Sequence, residues 1–259
     1  DESFHAWLPK LSVAYDVTPD ITVGGLVSKG YNPGGVNLSF AEAQFLSFDE
    51  ETAMNYELFG RAELLEGRMR VSGNLFYTKY SDSQRVLPDY LNGVVFGNVV
   101  VNADDAKSYG LEMAADYQVN DALRLQAGLG LLHTEIGNFV DAEGNSYTGN
   151  KFGRAPRHTL MLGAEWEVMP GTVVAGDIRH VGGYHSTDLN VDGYDVGSYT
   201  IANARVSHEL RDGVKLYAYV DNLFDKHAET YKFDDRTAGG IISAMAKQRE
   251  IGIGLNVDF

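Results

Sequence analysis

The chain has 259 residues, no cysteine and a formal net charge of −15. This composition excludes a disulfide framework, and it argues against nucleic acid as a partner because phosphate binding needs a basic surface. No run of 18 or more apolar residues occurs, which excludes a transmembrane helix but not a transmembrane β-barrel, whose alternating strands have mild hydropathy. Residues 1–5 lack the basic and apolar regions of a signal peptide, so we expect a mature chain or a fragment.

Five hairpins of alternating apolar and polar residues follow one another along the chain. Alternation with period two is typical of strands with one apolar face. The predicted strand pairs cover residues 11–17 and 21–31, 54–64 and 69–80, 109–119 and 123–131, 160–168 and 173–181, and 199–210 and 214–220. Most of these strands have about 9–13 residues, which is long enough to cross a bilayer at a tilt.

Two kinds of connection alternate between these strands. Tight turns of about two to five residues join the members of each hairpin. Much longer segments separate the hairpins, at residues 32–52, 82–106, 137–157, 182–197 and 225–247. Compact domains rarely carry loops of this length, whereas outer-membrane barrels have short periplasmic turns and long extracellular loops. The sequence therefore predicts an all-β fold, an antiparallel up-and-down transmembrane β-barrel.

The last strand has the clearest pattern. Large apolar residues alternate there with Gly, Asn and Asp, at positions Ile251, Ile253, Leu255, Val257 and Phe259. We expect these five side chains to face lipid and to form the C-terminal strand used in membrane insertion. With this strand the predicted count is eleven. The polar faces of the other strands carry many charged residues, which fits either a solvated surface or a wide, wet lumen but not a tightly filled interior.

Several motifs in their order resemble those of one family, the TonB-dependent outer-membrane receptors of ferric-siderophore type. The motifs are Pro9-Lys10-Leu11, Gly30-Tyr31-Asn32-Pro33-Gly34-Gly35, Asn55-Tyr56-Glu57-Leu58, Ala155-Pro156-Arg157 and Asn222-Leu223-Phe224-Asp225-Lys226, with the Phe259 terminus. The resemblance implies a 22-stranded barrel around an N-terminal plug. Residues 1–259 would be the C-terminal part, about 11 strands of that partial barrel, with the plug domain and the N-terminal strands absent.

The resemblance also implies the partners and the location. We expect energy-dependent uptake of an iron-siderophore or a similar scarce nutrient complex across the bacterial outer membrane. The partners would be a ferric-siderophore or related small-molecule ligand, outer-membrane lipid and lipopolysaccharide, and the TonB complex through the missing plug. A passive porin-like or adhesin-like barrel and a soluble β-rich binding module are the alternatives.

Aromatic and cationic residues in the long connections are the candidates for ligand binding. They are Tyr31, Asn32, Arg85, Tyr90, Tyr147, Arg154, Tyr184, His185, Tyr194 and Arg236. A second set of aromatics lies near strand ends on the apolar face and is expected to anchor the barrel at the lipid interface. This set is Tyr56, Tyr77, Tyr109, Tyr117 and Trp166.

Catalytic chemistry has little support in the sequence. His180 and His185 lie near Ser186 and Asp188, but no hydrolase, metalloprotease or phosphate-loop motif is present. We therefore predict no enzyme activity, no catalytic residue and no cofactor. The acidic runs do not have the spacing of a calcium loop, so we also predict no metal site.

Overall fold

A computed structural model of the chain describes residues 5–92, 94–141, 144–235 and 239–257. Its strands are β1 (Lys10–Thr18), β2 (Ile21–Asn32), β3 (Gly35–Ser39), β4 (Gln44–Phe48), β5 (Glu51–Leu64), β6 (Met69–Leu91), β7 (Val94–Asn120), β8 (Leu123–Ile136), β9 (His158–Met169), β10 (Thr172–Val181), β11 (Tyr184–His185), β12 (Asp195–Val196), β13 (Tyr199–Arg211), β14 (Val214–Asp221), β15 (Glu229–Asp235), β16 (Gly240–Met245) and β17 (Glu250–Val257). Within these ranges no helix is long and apolar enough to span a membrane.

One sheet contains the eleven long strands, in the order β1-β2-β5-β6-β7-β8-β9-β10-β13-β14-β17. Every neighbouring pair is antiparallel, as an up-and-down barrel wall requires. The predicted all-β, antiparallel fold and its eleven strands are confirmed. Since β1 and β17 are ten antiparallel steps apart, they run in the same direction, at the two ends of the order.

Four of the five long connections contain more regular structure than the sequence analysis predicted. Three hold small hairpins of their own, formed by β3 with β4, β11 with β12 and β15 with β16. The predicted loop at residues 82–106 is wrong, because β6 and β7 stay paired up to Leu91 and Val94. Arg85 and Tyr90 therefore lie in a strand and not in a loop.

The ladder continues beyond residue 81 because the projecting hairpin has apolar side chains to bury. Leu87 and Ala103, one from each strand, pack with Ile136 and Tyr147 in a small core, against which Phe152 also lies. This part of the strand was not predicted, because Pro88 and the polar residues around it interrupt the alternation of apolar and polar residues. The core stabilises the layer of connections at the end of the sheet away from the tight turns; we call this layer the loop layer.

The apolar face of the sheet is exposed along its whole width. On β5 and β6 Leu58 and Leu75 are 63% and 53% exposed, and on β17 Ile253 is 82% exposed. Ile251, Leu255 and Val257 are exposed with it, whereas Phe259 lies outside the described residues. A soluble β-sandwich would bury such a face, because this much contiguous apolar surface is rare on soluble proteins.

Aromatic rings on the other, inner face fill the space left by glycines on neighbouring strands. A methyl group added at Gly254 or Gly252 would overlap the ring of Tyr217 or Tyr219, and one at Gly24 would overlap Phe59. This packing explains why Phe59 interrupts the polar side of its strand. The inner face of the sheet therefore carries aromatic rings that lie over glycines of the neighbouring strand.

Candidate functional site

The inner face of the sheet is charged and hydrogen-bonded. Arg124 on β8 donates to Asp116 on β7 at 2.6 Å, and it lies 4.0 Å from Glu165 on β9. Further along the wall the Arg205 guanidinium lies over the Tyr217 ring, 4.1 Å from its centroid. All five side chains are partly or fully exposed, so the inner face presents both signs of charge to water.

Arg85 is the centre of the first cluster in the loop layer. Its guanidinium lies 4.1 Å from the centroid of the Phe152 ring, 3.7 Å from Asp188 and 4.0 Å from Glu51. Its side chain is only 11% exposed. Arg85, which was predicted as a loop cation for the ligand, therefore links β5 and β6 to the two connections that contain Phe152 and Asp188.

Those two connections are joined by hydrogen bonds between side chains and backbone. Asp188 accepts from the Gly153 amide at 2.6 Å. Asn190 accepts from the Lys151 amide at 2.6 Å and donates back to the Lys151 carbonyl at 2.9 Å. Asn150 donates to the carbonyls of residues 188 and 189 at 2.9 Å. The asparagine side chains thus supply the hydrogen bonds to backbone groups that a neighbouring strand would otherwise supply.

The second cluster is built around Arg154. Its backbone has a positive φ of 62°, and its amide donates to the His185 carbonyl at 2.7 Å. Its exposed guanidinium lies 4.6 Å from the centroid of Tyr231, which stacks on Phe233 with centroids 5.4 Å apart. An exposed cation above two stacked rings can meet a ligand that is both anionic and aromatic.

Three more predicted residues belong to this region: Tyr184 and His185 lie on β11, and Tyr194 directly precedes β12. The Tyr184 hydroxyl donates to the Thr230 carbonyl at 2.7 Å, and burial, helped by Tyr199, raises the pKa of that hydroxyl. The Tyr194 hydroxyl donates to Asp234 at 2.5 Å. His185 Nδ1 lies 2.5 Å from Asp195 Oδ1. The structure therefore brings Arg154, Tyr184, His185 and Tyr194 into one group.

The other predicted residues are placed separately. Asn32 donates to Gln84 at 2.7 Å, beside Arg85, and Tyr31 donates to Glu50 at 3.4 Å from the face of β2 that carries Val27. Tyr147 is 2% exposed, because its ring belongs to the small core. Tyr90 pairs with Val95 at the end of β6, and Arg236 lies outside the described residues.

The residues weighed as a catalytic group have separate partners. His180 Nδ1 lies 2.9 Å from the Thr200 hydroxyl, and Ser186 accepts from the Lys232 amide at 2.9 Å. Asp188 is used by Gly153 and Arg85. Over the described ranges no three His, Cys, Asp or Glu side chains are grouped as a metal site would need.

Sequence reasoning missed Tyr231 and Phe233, the aromatic partners of Arg154. A weak signal was present, since the alternation of Tyr, Lys and Phe at 231–233 is that of a short strand. Their contact with Arg154 had no sequence signal, because 77 residues separate the two segments and nothing local couples them.

Comparison with known proteins agrees with this architecture. A family model described as "TonB dependent receptor-like, beta-barrel" matches residues 1–223. The chain belongs to the TonB-dependent receptor family. The resemblance identified from the motifs is thereby confirmed, and members of this family are outer-membrane receptors.

Curated relatives of this TonB-dependent receptor chain include the metal-pseudopaline receptor CntO of Pseudomonas aeruginosa, 22% identical over 255 residues. The alignment covers 97% of this chain and 33% of that protein. The pesticin receptor of Yersinia pestis is 25% identical, with coverage of 97% and 36%. The chain thus spans about a third of the length of these relatives.

Solved structures show the same fold. The ferric yersiniabactin uptake receptor FyuA from Yersinia pestis has a TM-score of 0.80 at 24% identity, covering 97% of this chain and 37% of that one. The siderophore receptor PiuA from Acinetobacter baumannii has a TM-score of 0.75 at 17% identity, covering 96% and 35%. At these identities the likeness extends to the fold alone.

Proposed function

We propose that this chain is the C-terminal part of the barrel of a bacterial outer-membrane transporter that takes up ferric-siderophore or closely related metal complexes. In this proposal residues 1–259 supply half of the barrel wall, and the loop layer contributes to ligand capture. Energy would come from the TonB complex through a plug domain. The family match over residues 1–223 is the observation that carries the proposal.

The names of the relatives support the ligand class. They include a metal-pseudopaline receptor, a ferric-pyoverdine receptor and a ferric yersiniabactin uptake receptor. All three names refer to metal chelates, and none refers to a passive pore or a soluble binding protein. The receptor hypothesis is therefore favoured over the porin-like and adhesin-like alternatives, and we propose no enzyme activity.

Within the loop layer we propose Arg154 and its aromatic stack as the contact with the chelate. Arg154 is the exposed cation among the predicted residues that the structure describes, whereas Arg85 is enclosed by Glu51, Asp188 and Phe152. A cation already held over a ring loses little side-chain entropy when a ligand arrives. Tyr184, His185 and Tyr194 hold this surface in place through the contacts already described.

The test is binding of iron-loaded yersiniabactin and iron-loaded pyoverdine to the full-length receptor in detergent. We expect the parent protein to bind at least one of them. Because a charged hydrogen bond to a ligand contributes about 1.5–3 kcal/mol, Arg154→Gln should weaken that binding about tenfold or more. Tryptophan fluorescence quenching would measure the dissociation constants.

Arg157→Gln is the matched control, since Arg157 is also exposed, lies three residues away and has the same charge. It should leave the affinity unchanged. Equal losses in the two variants would overturn the assignment of Arg154. A parent protein that binds neither chelate, nor any in a wider panel of ferric chelates, would overturn the proposed ligand class.

A further inference from the structure

Two histidine rings lie side by side at the end of β9 and β10 that adjoins the loop layer. His158 is the first residue of β9, and His180 is the last but one of β10. Their ring centroids are 5.4 Å apart, and their ring planes differ by 17°. We call these two residues the histidine pair. The sequence analysis did not connect them, since only the register between the two strands brings them together.

That register makes the two histidines diagonal neighbours. His180 pairs with Leu160 on β9, which is two residues from His158 and therefore on the same face. Diagonal neighbours in an antiparallel pair have Cα atoms about 7–8 Å apart, which is within reach of two imidazole side chains. Leu160 and Ile178 belong to the exposed apolar face, so both histidines are on the outer face of the sheet.

A glycine opposite His158 allows its ring to take this position. The Gly182 amide donates to the His158 carbonyl at 2.8 Å. A methyl group added at Gly182 would lie 2.6, 2.7 and 2.9 Å from Cε1, Nδ1 and Nε2 of the His158 ring. The ring therefore covers the glycine, and a larger residue at this position would displace the ring.

Each ring has a nitrogen that is available to a ligand. His180 Nδ1 lies 2.9 Å from the hydroxyl oxygen of Thr200, its partner on β13, and Nε2 keeps its lone pair when Nδ1 donates there. Among the described residues, the ring nitrogens of His158 have no hydrogen-bond partner. The histidine–carboxylate contacts within the described ranges belong to His133 and His185. A histidine held at one nitrogen and open at the other is the usual arrangement of a metal ligand.

We propose that the histidine pair binds a divalent transition-metal ion, Cu²⁺ in preference to Ni²⁺ or Zn²⁺, through one neutral imidazole nitrogen of each ring. Two nitrogens that each lie about 2.0–2.1 Å from one ion are about 3–4 Å apart. Rings whose centroids are 5.4 Å apart can supply nitrogens at this separation. Imidazole suits all three ions, and Cu²⁺ is bound most tightly in the series.

Water or an outside donor would complete the coordination of the ion. In the part of the chain that is described, no third His, Cys, Asp or Glu is grouped with the pair. The bound ion would join β9, where one long connection ends, to β10, where the next begins, close to the contact between the Arg154 amide and the His185 carbonyl. The inference does not rest on the proposed ligand class, because side chains and not a chelate bind this ion.

Titration of the full-length receptor with Cu²⁺, in detergent and without a histidine tag, tests the proposal by electron paramagnetic resonance. The nitrogen couplings count the imidazoles on the ion, and we expect one bound Cu²⁺ with two. His158→Gln and His180→Gln should each leave at most one. Since loss of an outer-shell partner alone costs about 10- to 100-fold in metal affinity, loss of either ligand should weaken binding at least as much.

His208→Gln is the matched control. His208 is also an outer-face histidine opposite a threonine, and its Nδ1 lies 2.8 Å from the Thr172 hydroxyl oxygen. Its neighbour on β14 is Leu216, so a second imidazole is missing there. The control should bind Cu²⁺ as the parent does. Equal losses in His180→Gln and His208→Gln, or a parent in which no Cu²⁺ has two imidazoles, would overturn the site.

Gly182→Ala tests the geometry without removing a ligand. The added methyl group should displace the ring of His158 and weaken Cu²⁺ binding about tenfold or more. An affinity equal to that of the parent would overturn the proposed arrangement of the rings.

Hydrogen exchange of the parent protein gives a readout that needs no variant. Cu²⁺ should slow exchange of the Gly182 amide, which bonds to the His158 carbonyl, and leave the amides around His208 unchanged. Unchanged exchange at Gly182 would overturn the site. Circular dichroism identifies a variant that fails to fold, and in that case this measurement decides. No ferric chelate is present in any of these experiments, so their outcome is independent of the proposed function.

Discussion

The eleven-stranded sheet and the loop layer are stabilised in different ways. In the sheet, backbone ladders satisfy the main chain, and the apolar side chains of one face stay exposed, as in Leu58 and Ile253. In the loop layer, side chains such as Asn190 and Asp188 bond to backbone groups of another connection. Its small core buries Ile136 and Tyr147, in contrast to the exposed face of the sheet.

This difference predicts which amino-acid substitutions the sheet and the loop layer tolerate. The sheet needs only an apolar residue at alternate positions and a glycine wherever an inner ring must lie flat. The loop layer depends on particular side chains. Replacing a side chain such as that of Asn190 would leave the backbone groups that bond to it without hydrogen-bond partners. We therefore expect the outer face of the sheet to tolerate exchanges between apolar residues, and the loop layer to be sensitive to single substitutions of its hydrogen-bonded side chains.

The largest effect is expected for a charge placed in the middle of the exposed face. Met113 lies midway between Tyr109 and Tyr117 on β7 and is 43% exposed. Met113→Arg should lower the free energy of unfolding in lipid vesicles by about 2–4 kcal/mol, because the cation would face hydrocarbon.

Val36→Arg makes the same change in the loop layer, where Val36 on β3 is 57% exposed. It should change the free energy of unfolding by less than about 0.5 kcal/mol, since the side chain faces water. Denaturant titration of both variants in vesicles makes the comparison. A similar effect at the two positions would contradict a lipid-facing sheet.

A smaller effect is expected for Arg85→Ala. The change leaves Glu51 and Asp188, which are 16% and 14% exposed, without their cation. The free energy of local opening of the loop layer should fall by about 2 kcal/mol, because partly buried carboxylates lose a charged partner. Hydrogen exchange of the amides at residues 150–153 and 186–190 would measure this, and the sheet amides should be unaffected.

Arg157→Ala is the control for this variant, because Arg157 is exposed. Its hydrogen-exchange pattern should match that of the parent protein. If Arg85→Ala weakened the sheet as much as the loop layer, the two regions would form one cooperative unit. That result would remove the distinction drawn between them.

The smallest effect concerns pH. Glu229 on β15 accepts from Ser243 on β16 at 2.6 Å and lies 3.0 Å from Lys232. The hydrogen bond from Ser243, with that from Lys232, lowers the pKa of the Glu229 carboxyl below its ordinary value. A lowered pKa in the folded hairpin means that the stabilisation is complete above the unfolded pKa of about 4.3 and is lost as the pH falls through the folded value.

Protection factors of the β15 and β16 amides should therefore decrease between about pH 5 and pH 3. Glu229→Gln should show lower protection at neutral pH and a flatter pH dependence over that window. An unchanged profile in Glu229→Gln would mean that another group controls the hairpin. The sheet serves as the internal reference in the same measurement.

Most of the sheet could be predicted from the sequence, and little of the loop layer could. Alternation and turn residues gave nearly all strands and the outward direction of Tyr56, Tyr77 and Tyr109, because strand periodicity is local. The continuation of β6 and β7 past residue 81 was missed, since it depends on Ile136 and Tyr147 from a distant connection.

The candidate site followed the same rule. Residue type and position singled out Arg154 and Arg85 alike as loop cations, and nothing in the sequence separates them. The fold does: Arg85 is enclosed between Phe152, Glu51 and Asp188, whereas Arg154 stays exposed over Tyr231.

By itself the sequence determined the number of long strands, their apolar side and their alternation of short and long connections. These features depend on neighbours within one strand or one turn, where the spacing of side chains is fixed by backbone geometry. Only the tertiary structure decided that β6 and β7 stay paired past residue 81 and that Arg154, not Arg85, is the exposed cation. Both depend on the register between strands and on contacts between distant connections, which no local pattern encodes.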